Sequence, residues 1–387
     1  MFAVAEVAEY PLHTNRSDTG ADSVFLLSRR QTSVRTSGVV EEFDSAFDAT
    51  EALKTGRIDS VVGAIPFAST TPCALIAPLS FTRVQGDLHH NQPLNIPPSR
   101  VTDLEPKPGA HTDRVRSAIT RLQAGELHKV VLARSLRIET ESPISPTALA
   151  SRLIALDQSH NGFCVDLSPA GGKYRGRSLV GSTPEVLIER RGNVVTCHPL
   201  AGSIARHPDP QQDETNAREL VASAKDLTEH AFVVDSISAI LGPLCRSYSA
   251  PNTPELLRTP QLWHLGTKIM GVLADPNLTA LELALALHPT PAICGTPTEV
   301  ARDHITATEA DRGFYAGAIG WCDRTGDGEW MVAIRCAEIA ADGMSARAYA
   351  GGGIVASSDP EAELRETRTK FRTVLTAFGV TESDVDT

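Results

Sequence analysis

The chain has little that would suit it to nucleic acid or membrane. Its 36 Lys and Arg are outnumbered by 47 Asp and Glu, a net charge of −11, so a polyanionic partner finds no electrostatic support. No apolar run reaches the roughly 18 residues that a spanning helix needs; residues 278–287, for example, are interrupted by Glu282 and run into His288 and Pro289. Seven cysteines are scattered with no CxxC among them, which argues against a disulfide framework or a zinc knuckle and suits plain thiols in a reducing compartment. Residues 1–10 hold Glu6 and Glu9 and no basic run, unlike a secretory leader. GxxxxGK[ST], GxGxxG after a strand, HExxH and GxSxG are all missing, which removes the usual support for nucleotide, dinucleotide, zinc-protease and serine-hydrolase chemistry. The expectation is a soluble cytoplasmic protein with neither nucleic-acid nor membrane partners.

What is present is an ordinary globular composition, 387 residues with 41% hydrophobic and 21% charged, long enough for two average domains or one large one. Short apolar runs at 24–27, 61–67 and 73–79 read as strands, and the Pro-rich stretch 87–112 as a connection. Helical spacing marks 113–127, 213–244, 278–287 and 360–378. Strands are expected at 129–138, 178–187, 194–198, 314–323, 329–339 and 344–350, several joined by tight Gly-containing turns. Such turns imply antiparallel pairing, so the fold class is α+β, mostly antiparallel sheet flanked by helices. The chain reads as one large domain, 1–387, with a strand-rich part over 1–105 and a second region over 106–380.

Several residues could carry chemistry. Asp226 and Glu229, and again Glu363 and Glu366, stand three apart in helical segments, which puts each pair on one helix face. Two such faces meeting would offer oxygen ligands of the kind magnesium takes; alone, each pair is also what a solvated helix carries. Lys129 opens an apolar strand, where it either snorkels to solvent or, buried beside a cation, becomes a usable base. Glu185 lies in a strand-like run, where burial would keep it protonated as a general acid needs. Arg335 interrupts an apolar run, and a buried Arg calls for an anion. Gly351, Gly352 and Gly353 would let backbone approach a ligand closely.

The motifs KVVLAR (129–134), GSTPEVLIER (181–190), PLAGSIAR (199–206), KDLTEH (225–230), LWHL (262–265), HPTPAICGTP (288–297), DRGFYAGAIGWCD (311–323), GDGEWMVAIRCAEI (326–339), YAGGGIV (349–355) and ELRETRTKF (363–371) resemble, in order, those of the chorismate-binding enzyme family. Within it, HPTPA followed by GTP resembles the isochorismate synthases, particularly the siderophore type. Amine-transferring members carry a GTxxGAPK-like stretch where this chain has Ala292-Ile293-Cys294-Gly295.

The resemblance implies the anthranilate synthase large-subunit-like fold, with 106–380 as the chorismate-binding catalytic region. It further implies an isomerase that converts chorismate to isochorismate for siderophore or menaquinone biosynthesis. Lys129 would be the base that activates water for attack at C2, and Glu185 the acid that protonates the departing C4 hydroxyl. Glu229 and Glu366 would hold Mg²⁺, with Asp226 and Glu363 in or near its shell. Gly202, Ser203, Ala292, Arg335, Gly351 and Lys370 would contact substrate, and His264 would orient the ring carboxylate or a water. A monomer is implied. Two alternatives stay open: a salicylate synthase using the same acid, base and metal, and a non-catalytic chorismate-binding protein on the same fold.

Lacking the amine-transfer stretch, the protein should use water as nucleophile even in concentrated ammonium. Chromatography of the products should show a hydroxylated product; anthranilate or aminodeoxyisochorismate as the major species would overturn this reading.

Overall fold

The computed structural model describes residues 23–88 and 95–380; residues 1–10 and part of the 87–112 connection lie outside them. The strand Lys129–Thr140 pairs along one edge with Ser345–Ile354. The ladder continues through Cys336–Ile339, Ser178–Gly181, Gly162–Asp166 and Ser23–Ser28. It then turns through Thr32–Phe43 and Ala74–Gln85 into a second arm. That arm runs Ser60–Ile65, Ala318–Asp323, Gly328–Val332, Val186–Arg191, Val194–His198, Ile269–Leu273 and Cys245–Ser249. With Ser99–Glu105 and Gly295–Thr296 on the far edge of Lys129–Thr140, this makes a 17-stranded sheet. Leu200–Ala205, Leu262–Gly266 and Glu255–Arg258 form a separate three-stranded sheet. Every pairing among the described residues is antiparallel, as expected for the α+β class.

Side-chain alternation with period two explains how the layers stack. Phe25, Leu27, Phe163, Val165 and Leu179 of the first arm share one core with Val62, Ile188, Ile319 and Trp330 of the second. Their neighbours Leu26, Cys164 and Val180 face the other way, into a second core. There the helices Pro146–Leu156 and Pro360–Phe378 cover the sheet with Leu149, Leu153, Phe371, Val374 and Phe378. The helix Pro360–Phe378 begins where the Asp359 side chain accepts from the Ala362 N–H at 2.8 Å and Pro360 takes the first turn. It ends at Gly379, whose φ of 72° few other residues adopt. All seven cysteines are free thiols. No helix among the described residues is long and apolar enough to cross a membrane.

Several elements differ from the pattern read in the sequence. Helices Ala46–Lys54 and Pro146–Leu156 were not expected, and the 87–112 connection holds the strand Ser99–Glu105 and the start of the helix Pro108–Gln123. The single helix expected over 213–244 is two, Pro210–Ala222 and Ala224–Leu241, broken at Ser223. Ser223 is extended (ψ 108°), and its hydroxyl accepts from the Asp226 N–H, capping the second helix.

Two apparent strands are each divided between the arms. Ser178–Gly181 pairs in the first arm and Val186–Arg191 in the second. Likewise Gly328–Val332 belongs to the second arm and Cys336–Ile339 to the first. The two crossovers run side by side, Ser182 N–H donating to Arg335 O at 3.1 Å and Val332 N–H to Glu185 O at 3.1 Å. Glu185 and Arg335 therefore lie in breaks of the sheet, not inside strands.

Phe371 is fully buried between helix and sheet. Phe371→Ala should lower unfolding stability by about 3–5 kcal/mol, the usual cost of emptying an aromatic core position, measured as the urea midpoint at unchanged m-value.

Candidate active site

At the seam between the arms lies a cavity of about 60 Å³. The small sheet supplies Gly202, Ser203 and His264, and the crossovers supply Glu185 and Arg335. The loop before Gly295–Thr296 supplies Ala292; Gly351 comes from Ser345–Ile354, Glu229 from Ala224–Leu241, and Glu366 and Lys370 from Pro360–Phe378. Ten of the expected residues thus line one cavity. The other three do not line it: Lys129 meets the lining residue Glu229, Asp226 lies against Gly202, and Glu363 lies against Gly352.

Lys129 is fully buried. Its Nζ lies 3.1 Å from Glu229 Oε1, so the strand is anchored to the acidic helix by a buried ion pair, and removing one partner would strand a charge in the core. The contact exists because Gly353 has no side chain: a Cβ there would sit 2.0 Å from Glu229 Oε1 and 2.9 Å from Lys129 Cε. Similarly, a Cβ on Gly352 would approach Glu363 Oε2 to 3.1 Å, and one on Gly202 would come within 2.9 Å of Asp226 Cβ. The glycines thus let two carboxylate-bearing helices settle onto the sheet.

The acidic faces do meet, and each outer carboxylate has its own lysine. Lys225 Nζ is 2.8 Å from Glu363 Oε1. Lys370 Nζ is 2.5 Å from Glu366 Oε1 and donates to Gly351 O at 2.8 Å. Ser203 Oγ donates to the same Glu366 oxygen at 3.1 Å. Burial would raise Glu366, but Lys370, Lys225 and Ser203 outweigh it and hold the carboxyl below its ordinary value. Glu363 is pushed up to about 7 by burial and by the charge of Glu366, and Lys225 only partly opposes this. Burial also raises Asp226 against the pull of its hydrogen bond from Ser223.

Among the described residues no three His, Cys, Asp or Glu side chains form a ready-made metal cage. The donors present nonetheless fit Mg²⁺. They are all oxygen, Glu363 Oε2 is buried without a hydrogen-bond partner among the described residues, and the glycine cradle leaves the carboxylates room. Magnesium usually takes only one or two carboxylates and completes its shell with water and substrate.

Across the cavity Glu185 is 3% exposed. Burial pushes its carboxyl up to about 7, although the Leu200 N–H, Lys129, Arg335 and Lys370 all favour the charged form. His264 is held neutral, well below the usual imidazole value, by burial and by Arg335 and Lys370; its Nε2 has no hydrogen-bond partner among the described residues. Arg335 is buried with a φ of 53°, a left-handed backbone that is uncommon outside glycine, and burial brings its guanidinium down to about 10. Sequence reasoning missed Tyr315 and Tyr349, which line the cavity with rings stacked 4.9 Å apart, and Lys225. All three lie inside motifs singled out for other residues, and only their three-dimensional neighbours distinguish them.

Residues 76–379 match the family of chorismate binding enzymes. The chain belongs to that family. It is 44% identical over 329 residues to an isochorismate synthase of Bacillus subtilis, spanning 83% of this chain and 81% of that one. A crystal structure from Bacillus anthracis, provisionally named a 2,3-dihydroxybenzoate-specific isochorismate synthase, matches with a TM-score of 0.86 at 36% identity, covering 94% of this chain and 98% of the other. Anthranilate synthase component I of Streptococcus pneumoniae, at 18% identity and a TM-score of 0.67 over 95% of each chain, shares the fold. The anthranilate synthase-like architecture and the isomerase class expected from the sequence both stand.

Gly353→Ala should abolish turnover and lower unfolding stability by about 1–3 kcal/mol in a chain that keeps its circular dichroism, because the new methyl must displace Glu229 and with it Lys129. An active alanine variant would show that the pair need not be held in this geometry.

Proposed function

We propose that the protein is an isochorismate synthase, converting chorismate reversibly to isochorismate. The carrying observation is Glu185, a carboxyl raised to about 7 in the same cavity as the carboxylate that holds Lys129. A buried carboxyl that keeps its proton and a buried lysine behind the same cavity give the site a candidate acid and a candidate base.

Lys129 takes a proton from a water molecule as its oxygen bonds to C2 of the substrate ring. The ring double bonds shift, the C4–O bond breaks, and Glu185 gives its proton to the departing hydroxyl, which leaves as water. Atoms and charge balance without a covalent intermediate, and proton return to Glu185 and from Lys129 resets the site. Arg335 and Lys370 face the substrate carboxylates, neutral His264 offers Nε2 to a carboxylate or a water, and Gly202, Ser203, Ala292 and Gly351 shape the wall. Glu229 and Glu366 would hold Mg²⁺, with Glu363 and Asp226 behind them; bound there, the ion offsets the charge of the substrate carboxylate. Lys129 must give up its own proton before it can serve as the base, and a cation held by Glu229 and Glu366 would supply the positive charge that Lys129 now offers to Glu229. The product would feed siderophore or menaquinone biosynthesis.

Glu185 must be protonated to donate. The rate of isochorismate formation should therefore fall as pH rises through about 7, and Glu185→Gln should remove that limb. Lys129→Gln and Glu185→Gln should each cost on the order of 10²–10⁴ in kcat while chorismate binding survives, measured by steady-state kinetics and calorimetry. Near-normal turnover by either variant would dismiss its assigned role.

Chelation with EDTA should abolish activity and Mg²⁺ restore it. Glu229→Ala and Glu366→Ala should also lose calorimetric Mg²⁺ binding; full activity in chelator would sink the metal assignment. Product analysis separates this reading from pyruvate-eliminating and non-catalytic ones.

A further inference from the structure

The strand that carries Lys129 has a gap in its support. One edge is paired from Val130 to Glu139. On the other edge Gly295–Thr296 covers only Lys129 and Val130, and Ser99–Glu105 begins only at Ser135. Among the described residues no strand lies opposite residues 131–134 on that side. The Val131 N–H still donates to Cys294 O at 2.8 Å; backbone groups left bare inside a protein are costly, and two side chains answer those beyond it. Arg312 Nη2 donates to Val131 O at 2.8 Å, and Glu309 Oε1 accepts from the Ala133 N–H at 2.7 Å. The two side chains are joined to each other, Arg312 Nε to Glu309 Oε2 at 2.8 Å, and both are nearly fully buried.

Arg312 reaches further. Its Nη1 donates to Ile293 O at 2.9 Å, in the loop that brings Ala292 and Ile293 to the cavity wall. Its guanidinium also lies 5.9 Å from the ring centre of Tyr315, another wall residue, and 4.6 Å from that of Phe67. On the other edge of the strand, Val131 pairs with Gly353 and Ala133 with Gly351. The ion pair thus touches, at one remove, the base, the glycine cradle and two walls of the cavity. It contacts none of the residues assigned to acid, base or metal.

We propose that Glu309 and Arg312 are positioning residues for the reaction, standing in for the absent strand opposite residues 131–133 and holding the Lys129 strand and the 292–293 loop at a fixed separation across the cavity. The proposal rests on the isochorismate synthase reading, but its geometry can be read without turnover. Lysine in place of Arg312 keeps the charge but cannot serve Val131, Ile293 and Glu309 together. Glutamine in place of Glu309 keeps an acceptor for Ala133, whereas leucine removes it.

The test combines site-resolved amide hydrogen exchange with kinetics on the full chain. In the parent protein Ala133 should exchange as slowly as its strand-paired neighbours Val130 and Leu132. Glu309→Leu should speed exchange at Ala133 selectively, by about tenfold or more, and Glu309→Gln should restore most of the protection. With folding confirmed by melting profile, Arg312→Lys and Glu309→Leu should lower kcat by about 100-fold, the cost of a misplacement near 1 Å. KM for chorismate should move by less than about threefold, since Arg335 and Lys370, which would face the substrate carboxylates, contact neither side chain. Glu309→Gln should recover at least about a tenth of parental kcat if the acceptor is what matters. Fast exchange at Ala133 in the parent would overturn the proposal even if every variant failed to fold. So would folded Arg312→Lys with kcat within about threefold of the parent, or a rate loss that only tracks a global loss of protection. Failure of the parent to turn over chorismate would instead remove the isochorismate synthase reading and leave the exchange result to stand by itself.

Discussion

Charge buried in a low-dielectric interior must be answered where it stands, and this requirement organises the centre of the molecule. Lys129 is sealed from solvent and meets Glu229 at 3.1 Å. For that to happen a helix must come down onto a strand at side-chain-free distance, and Gly353 is the residue that permits it. The same logic recurs with Lys225 and Glu363 and with Lys370 and Glu366. The first pair ties helix Ala224–Leu241 to the sheet, the second ties that helix to Pro360–Phe378, and the third lies within Pro360–Phe378, whose Lys370 also donates to Gly351 O. A substitution that removed one member of a pair would leave the other unanswered, at a cost of about 3–5 kcal/mol for a fully buried partner.

The second organising feature is the seam at which two neighbouring chain segments leave one arm of the sheet for the other. In a regular strand, side chains alternate between two faces and backbone groups are consumed by the ladder. At a crossover the ladder lapses, and side chains can point along the gap between arms. Glu185 and Arg335 occupy those positions. Their backbones are tied to the facing crossover, so they are fixed without being strand residues. Burial then separates their chemistry, raising the carboxyl to about 7 and lowering the guanidinium to about 10.

Much of this was legible in the sequence, and the misses have physical causes. The helix Pro360–Phe378 was readable because Asp359, Pro360 and Gly379 mark its ends and its apolar period is unbroken. Paired carboxylates at i, i+3 showed which helix faces matter, and motif resemblance connected them to Lys129 and Glu185 across distant stretches. The breaks at residues 182–185 and 333–335 were not visible, because an apolar run of constant character reads the same whether its strand stays in one arm or crosses to another. Ser223 was overlooked because a serine that ends one helix and caps the next interrupts no hydrophobic period. The lysine partners of the carboxylates, and the stacked Tyr315 and Tyr349, depend on which elements meet, and that is set by tertiary contacts alone.

Around the cavity the ionic groups nearly offset one another. Five carboxyls, Glu185, Asp226, Glu229, Glu363 and Glu366, stand among four cations, Lys129, Lys225, Lys370 and Arg335. Burial pushes Glu185 and Glu363 up to about 7, where each is only partly ionised. An enclosure balanced in this way resists the arrival of a lone ion of either sign, since any single guest leaves net charge in a poorly polarisable medium. A doubly charged cation and a doubly charged acid entering together leave the balance unchanged. On the isochorismate synthase reading the pocket would be a receptor for a salt rather than for an ion, with the affinity for either component a property of the pair.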